Sequence, residues 1–511
     1  MLGIGMVNLL VALDQTTVST ALPAMVASLN GFHFYPWIAG AYLLAQLIAV
    51  PVSGRLGDEY GRKQFVVAAI VIFTIASALC AAAPTMSALI AARALQGLGA
   101  GMMTGSAFAS IPDLFPDPKA RVRWQVVLAA AYGIGTSAGP SLGGVLTVHA
   151  GWRTTFLINL PVGIAALYCV LRYLPRFPPA VSGSGRIDFL GTLLLALLLT
   201  CLLIATGSIH IGEAHETAIA AFALPLICLG FYLCERRAPS PIVPLEIFRS
   251  RQMVTLFCLS LLVGAVMFSL IFYVPLMLQA GLGMSAADAG AKATPLAVSV
   301  ALGSLANTRI VTRLKRPAGV LVLGFALLAL ASLGIAQKSA WDMHGLLELW
   351  LLAAGIGLGL ILNNINIFAQ ETAGRAFFGI ATSLIQSTRM IGGLFGVSLI
   401  GTWVTQHYAL RVAGVLGRLS AGHTDPKWES LFGDPQILID PHRQAEAAHR
   451  LAQAPFDASQ AIGALRQMFM TMMQSGFALC TILAACSIAV TLTIRTIELR
   501  ATQEACTRQS V

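Results

Sequence analysis

Charge is scarce in this chain. Lys, Arg, Asp and Glu make up 11% of 511 residues, whereas soluble domains carry about 25%. With 57% hydrophobic residues and a mean hydropathy of +0.79, that scarcity argues against a water-soluble enzyme of two or three domains. Paired cysteines are lacking too. The nine cysteines (Cys80, Cys169, Cys201, Cys228, Cys234, Cys258, Cys480, Cys486 and Cys506) are scattered, most of them in apolar runs, and show neither a disulfide framework nor metal-ligand spacing. There is no Walker sequence, which argues against ATP as the energy source. No cation precedes Arg55, so the first stretch has neither the basic segment nor the small-residue site of a cleaved signal peptide. Two readings of the start stay open: a chain that begins in its first span, and a start internal to a longer one.

Long apolar runs are what the chain does have. A membrane span needs about 20 apolar residues at 1.5 Å rise each, and apolar windows between polar breaks predict fourteen. Six lie at roughly 3–28, 37–56, 65–83, 88–111, 124–147 and 154–174, and a pair follows at 187–207 and 217–234. The last six are at roughly 253–280, 287–310, 318–337, 346–370, 376–404 and 466–494. The expected fold is therefore an all-α polytopic membrane protein with two six-helix bundles, 1–174 and 251–494. Two extra central helices within 175–250 separate them, and a tail at 495–511 follows. The 48 glycines fit this picture, because small residues let membrane helices pack closely.

The net charge of +10 raises the question of nucleic acid, and the position of the cations answers it. They gather in alternate loops: Arg55, Arg62 and Lys63; Lys119, Arg121 and Arg123; Arg172, Arg176 and Arg186; Arg236, Arg237, Arg249 and Arg251. The series continues with Arg309, Arg313, Lys315 and Arg316, with Arg375, and with Arg495, Arg500 and Arg508 in the tail. The opposite short loops hold only Arg153 and Lys338. By the positive-inside rule the basic loops and both termini are cytoplasmic and the long 405–465 connection is external. The basic balance is topological, and no nucleic-acid partner is expected.

Weak self-similarity links the first and last six spans. Gly97, Gly99 and Gly101 in the fourth are matched by Gly355, Gly357 and Gly359 in the twelfth. The fifth and thirteenth carry second clusters, Gly139-Pro-Ser-Leu-Gly143-Gly144 and Gly392-Gly393-Leu-Phe-Gly396. A parallel repeat with a site between its halves is a transporter architecture; chance similarity among glycine-rich helices is the plainer reading.

The sharpest motif is Gly54-Arg-Leu-Gly57-Asp58-Glu-Tyr-Gly61-Arg62-Lys63. Its glycines allow a tight turn. Asp58 and the Arg62/Lys63 pair can latch the two bundles together or cap a helix end; a solvated turn with stop-transfer cations is the alternative. The spacing strongly resembles the signature loop of the major facilitator superfamily. Leu13-Asp14-Gln-Thr16 through Ala21-Leu-Pro23 resembles the first-span signature of the fourteen-span drug:H+ antiporters of that superfamily, with Ser19 where the family has Asn. Arg93-Ala-Leu-Gln96-Gly97 resembles the fourth-span motif, and Gly135 through Gly139-Pro140 to Gly143-Gly144 the fifth-span motif associated with exporters. Gly185-Arg-Ile-Asp188, Pro275-Leu-Met-Leu-Gln279 and Arg389-Met-Ile-Gly-Gly393 agree with it. In the second half, the counterpart of the signature loop, Arg309 to Arg316, has lost the acid, so any latch is asymmetric.

Among the polar residues left inside the spans, Asp14 lies about twelve residues into its helix, roughly 18 Å and near the midplane. A charge there costs on the order of 2.5–3.5 kcal/mol, and desolvation favours the protonated carboxyl, as a proton-loading group requires. Proton coupling or recognition of a cationic substrate is one reading; a structural acid bonded to Thr16, Thr17 or a neighbouring helix is the other. Arg93, with Gln96 on the same face at i+3, either biases the protonation of a nearby carboxylate or snorkels to the external surface. Arg389 is too deep to snorkel and is expected to line an aqueous cavity, since an unpaired buried Arg is expensive; a functional role there and a bond to a neighbouring helix are its two readings. Gln46, Gln279, Gln386, Asn363, Asn364 and Asn366 either contact substrate or act as polar glue between helices.

The 405–465 loop holds His407, His423, His442 and His449, without H-x-x-x-H or H-E-x-x-H spacing. It reads as a cap or a docking surface for a periplasmic partner rather than as a metal site, with an external helix expected in 443–466. The resemblance implies a proton-driven exporter of small amphipathic molecules in the cytoplasmic membrane, working by alternating access. No cofactor is expected beyond the proton gradient, and a periplasmic adaptor and outer-membrane channel would complete the route. A proton-coupled importer of the same fold is the first alternative, opposed by the Gly139-Pro140 motif. A membrane enzyme lacks a catalytic cluster on the cytoplasmic loops, which carry no His. A non-transporting receptor or assembly subunit fits an intact Asp14 and signature loop less well.

Overall fold

The computed structural model describes residues 2–60, 62–114, 118–175, 189–205, 214–238, 250–311, 318–337, 345–373, 378–420, 428, 431–450 and 458–494. These are nearly all helical, and ten of the helices are long and apolar enough to cross a membrane. The first half comprises α1 (Leu2–Leu29), α2 (Tyr35–Tyr60), α3 (Arg62–Ala82), α4 (Met86–Leu114), α5 (Pro118–Ala150), α6 (Thr154–Leu157) and α7 (Asn159–Tyr173). Next come α8 (Phe189–Ala205) and α9 (Ala214–Arg237), then α10 (Arg251–Leu276), α11 (Ala286–Val311), α12 (Ala318–Ala336) and α13 (Leu346–Ala373). The chain continues through α14 (Phe378–Leu419), α15 (Pro441–Arg450) and α16 (Ala458–Leu492). A helix thus lies at each of the fourteen predicted intervals. The outward faces carry large apolar side chains, with Ile134 65% exposed, Ile164 63% and Phe222 81%. A surface of that kind suits lipid rather than water.

Close helix contacts explain the glycines. A Cβ on Gly97 or Gly101 would strike the backbone of α2 at Tyr42 and Gln46, and one on Gly99 the backbone of α3 at Phe73. In the second half, Gly355 and Gly359 face α11 at Leu296 and Val300, while Gly357 faces α12 at Gly324. The two triplets therefore play the same packing role, alternating between two neighbouring helices. Gly135, Gly139 and Gly143 press α5 against α1, and Gly392 and Gly396 press α14 against α10.

Among the described residues, the polar contacts between the halves and the tightest glycine contacts lie toward one end, where α1 ends and α2 begins. There α5 packs along α11, with Gly144 over the Ala286 carbonyl and Gly290 over the Pro140 carbonyl, and Ser141 and Thr294 share a 2.6 Å hydrogen bond. The Tyr35 hydroxyl donates to the Phe272 carbonyl at 2.8 Å. After Pro275, α10 widens into a π turn at Met277–Gly281, from which Gln279 Nε2 donates to the Thr20 carbonyl at 2.9 Å. The α8–α9 pair sits to the side, touching α2 and α14 through α8.

Several boundaries differ from the sequence reading. The signature loop is not a turn throughout: α2 runs on to Tyr60 and α3 starts at Arg62, so Gly54 to Tyr60 belong to a helix. Helix α14 is 42 residues long, about 63 Å at 1.5 Å per residue. It continues past 404 because Tyr408, Val412, Val415 and Leu416 recur on one buried face, a periodic pattern that an apolar-window search does not register. Of the helix expected within 443–466, the described residues belong to α15 and to the start of α16, and 451–457 lie outside the described residues. Asp440 accepts from the His442 N–H at 2.9 Å and Pro441 opens the first turn, which fixes the start of α15. The segments Gly185–Asp188 and 312–317 and the tail 495–511 lie outside the described residues.

Candidate functional site

Four helices of the first half converge on one buried carboxylate. Asp14 of α1 is 0% exposed, and Arg93 of α4 is 1% exposed. Arg93 Nη1 lies 2.8 Å from Asp14 Oδ2. The other carboxylate oxygen accepts from Gln96 Nε2 of α4 and from Asn159 Nδ2 of α7, each at 2.8 Å. Ser77 of α3 completes the ring: Gln96 Nε2 donates to its hydroxyl at 2.6 Å and Asn159 Nδ2 at 3.2 Å. Arg93 also donates to Gln96 Oε1 at 2.6 Å, and its guanidinium stacks 4.2 Å from the Tyr42 ring centroid.

Local structure makes this convergence possible. Gln96 follows Arg93 by three residues, so both point from one face of α4. Asn159 opens α7 just after the break at Ile158 that separates it from α6. Thr16 and Thr17, possible partners of Asp14 on sequence grounds, instead donate to the Ala12 and Leu13 carbonyls of their own helix at 2.9 Å. Arg93 does not snorkel: Phe156 of α6, fully buried, sits 5.8 Å from its guanidinium, and Tyr42 covers another side.

Chemically, three donors hold a charged carboxylate against a charged guanidinium out of water. Such a pair is stable as a unit but strongly destabilised when one member loses its charge. Removing the charge of Asp14 would leave Arg93 buried without a counter-charge.

The remaining predicted residues sit elsewhere. Gln46 of α2 accepts from Gln15 Nε2 at 3.2 Å, and the Tyr132 hydroxyl of α5 lies 3.4 Å from Gln15 Oε1. Arg389 of α14 is half-buried, in the other half of the chain from Asp14. Gln386, one turn before it, is half-buried, with its Oε1 enclosed by protein. Gln279 bonds the Thr20 carbonyl, and Asn364 Nδ2 donates to Asn307 Oδ1 at 2.7 Å, while Asn363 is half-buried. Of the signature motif, Lys63 is described: its Nζ donates to the Leu171 and Leu174 carbonyls at 2.8 and 2.6 Å, capping the C-terminal end of α7 within the same half. Gly61 and the side chains of Asp58 and Arg62 lie outside the described residues, as do Gly54 and Gly57 beyond their helical backbone. Sequence reasoning missed Asn159, Ser77 and Tyr42. An asparagine inside an apolar span was the available signal for the first.

Comparison with known proteins agrees with this architecture. The chain is 33% identical over 399 residues to the multidrug transporter protein MdtP of Bacillus subtilis, covering 76% of this chain and 72% of that one. It is 31% identical over 400 residues to the tetracenomycin C resistance and export protein of Streptomyces glaucescens, covering 77% and 73%. An uncharacterised MFS-type transporter of Mycobacterium tuberculosis is 33% identical, and this chain spans 59% of its length. Among solved structures, a bacterial homologue of the human lysosomal transporter Spinster, inward-facing and unoccupied, superposes with a TM-score of 0.67 at 16% identity, covering 98% of each chain. The profile of the Major Facilitator Superfamily matches residues 4–397. The chain belongs to that superfamily, whose members are multi-pass membrane transporters and not enzymes.

Proposed function

We propose that this protein exports small amphipathic compounds across the cytoplasmic membrane in exchange for protons. The observation that carries the reading is the Asp14–Arg93 ion pair, buried inside the first half with every carboxylate contact made from α4 and α7. The reading takes fourteen spans in two six-helix bundles with α8 and α9 between them, both termini cytoplasmic and 405–465 external, and the helix intervals and loop charges support it. In that orientation the contacts between halves described above lie at the external end, which supports reading the molecule as inward-facing.

The cycle then runs by alternating access. Proton release from Asp14 toward the cytoplasm restores the pair with Arg93 and favours this state, in which substrate enters between the halves. Reprotonation from outside breaks the pair, shifts α1, and opens the external end. Each charge moved inward draws about 2.3 kcal/mol per 100 mV from the membrane potential. The relative named as a resistance and export protein supports the direction of transport, and no cofactor beyond the proton gradient enters the cycle. The external cap is the surface on which a periplasmic adaptor leading to an outer-membrane channel would sit.

A susceptibility panel on a deletion strain tests this reading. Complementation with the wild-type chain is expected to restore resistance to a subset of amphipathic compounds, and Asp14→Asn to restore none at equal expression. Full proton-driven efflux by Asp14→Asn would sink the proposal.

A further inference from the structure

Three hydrogen bonds join the end of α1 to the segment that precedes α16. Gln436 Nε2 donates to the Ala27 carbonyl at 2.9 Å and to Asn30 Oδ1 at 3.0 Å. Arg443 Nη2 of α15 donates to the same Asn30 oxygen at 2.9 Å. Gln436 is 0% exposed, so its side chain is set into the contact rather than laid over it.

Each side of this contact is tied into its own half. Residues 435–438 and α15 both pack on α16, and the Tyr408 hydroxyl of α14 donates to the Phe432 carbonyl at 3.2 Å. Arg443 is held from within the segment: its Nη1 lies 3.0 Å from Asp434 Oδ2, which leaves Nη2 for Asn30. On the other side, Trp152 Nε1 donates to Ser28 Oγ at 2.7 Å, joining the last turn of α1 to the chain just ahead of α6. Asn30 has φ of +54°, and among the described residues no other residue besides glycine has a positive φ. Asn accepts that left-handed backbone more readily than most side chains, and here its carboxamide oxygen takes both donors. An arm of the second half thus holds the first half by one side-chain oxygen and one carbonyl.

Any rocking of the halves that opens this end has to part the arm from α1. Bonds made only in the closed state shift the equilibrium toward that state by their differential free energy. The bond from Arg443 is charge-assisted, and its donor is already oriented by Asp434. Holding is also separable from folding. Loss of the Asn30 side chain frees two of the three bonds and leaves the arm's own contacts in place. We infer that residues 431–450 form a latch, an arm of the second half that grips Ala27 and Asn30 and biases the protein toward the state in which this end is closed. The inference rests on reading this end as the external gate of an alternating-access cycle. Substrate-driven opening works against the latch, and a weakened latch raises opening in the absence of substrate.

The test measures opening directly. Thr294→Cys places a thiol at the seam where Thr294 meets Ser141. Its reaction with a membrane-impermeant maleimide is followed in sealed right-side-out and inside-out vesicles, and the same chain without that thiol gives the background from the native cysteines. Asn30→Gly keeps the left-handed backbone at no steric cost. It is expected to raise the labelling rate in right-side-out vesicles about tenfold, as for two hydrogen bonds lost from one of two states. Arg450→Gln should leave the rate unchanged, since its partner Glu446 lies on the same helix and both are more than half exposed. If Asn30→Gly gives no monodisperse protein, Arg443→Gln, which spares the end of α1, should raise the rate about threefold. Equal rates for the folded variant and its parent in both vesicle orientations overturn the latch. A rise confined to inside-out vesicles supports the latch and counts against the orientation alone. A rise in right-side-out vesicles without proton-driven efflux supports the latch and counts against the exchange reading alone.

Discussion

At the scale of the residue, the site is a lesson in what a charge needs once it leaves water. Asp14 and Arg93 are each expensive in the membrane interior, and each is what makes the other tolerable. Asp14→Asn is therefore expected to lower stability by about 3–5 kcal/mol, because it strands Arg93. The double variant Asp14→Asn, Arg93→Leu should recover most of that loss while remaining inactive in proton-driven transport. Thermal unfolding of the wild type, Asp14→Asn and the double variant in one detergent, in parallel with flux, checks both halves of the statement. If the double variant is no more stable than Asp14→Asn, the pair is not a unit. Asp14, Arg93 and Gln96 were legible in the sequence because polar residues stand out in apolar runs and these three sit in recognisable motifs. Their depth was less legible. Arg93 lies seven residues after the start of α4, close enough to the surface for snorkelling, and only the ceiling of Phe156 and Tyr42 shows that the way out is shut. Asn159 and Ser77 went unread because partners on α3 and α7 are brought to α1 by the fold and not by any spacing along the chain.

At the scale of the element, glycines decide how near the helices come. The Gly97 and Gly355 triplets do equivalent work in the two halves, each alternating between two neighbours. This gives the self-similarity seen in the sequence a physical content that glycine richness alone would not. Gly97→Val and Gly355→Val are each expected to cost at least about 1–3 kcal/mol through overpacking against backbone that cannot yield. Gly414→Val, where no atom stands within 4 Å, should be tolerated. The yield of monodisperse protein on size-exclusion chromatography distinguishes the three, and equal yields would refute the packing argument. Helix existence was legible because long apolar runs have few other fates in a membrane. Helix ends were not, since α14 and α16 continue beyond the hydrocarbon by periodic burial under the cap.

At the scale of the molecule, the described contacts between halves fall at one end: Ser141 with Thr294, Tyr35 with Phe272, Gln279 with Thr20. If that end must open in each cycle, locking it stops transport. A disulfide between Ser141→Cys and Thr294→Cys should reduce turnover about tenfold or more, as expected when a two-state rearrangement is blocked, and a reductant should restore it. Unchanged turnover in the cross-linked protein would mean that this end does not open. The sidedness of this closure was readable only through the loop cations, and no local pattern announced which faces of α5 and α11 would meet.

The same end is finished by a cap whose parts are far apart in the chain. Gln436 donates to the Ala27 carbonyl at 2.9 Å and to Asn30 Oδ1 at 3.0 Å, and Arg443 donates to Asn30 Oδ1 at 2.9 Å. The first of these bonds joins residues 409 positions apart. During synthesis at roughly 5–20 residues per second, the end of α1 waits some 20–80 s for its partner to be made. Until then the first half is inserted with this seam unsealed, so the contact that ties the end of α1 to the cap is a late stitch of assembly, followed only by the packing of α16.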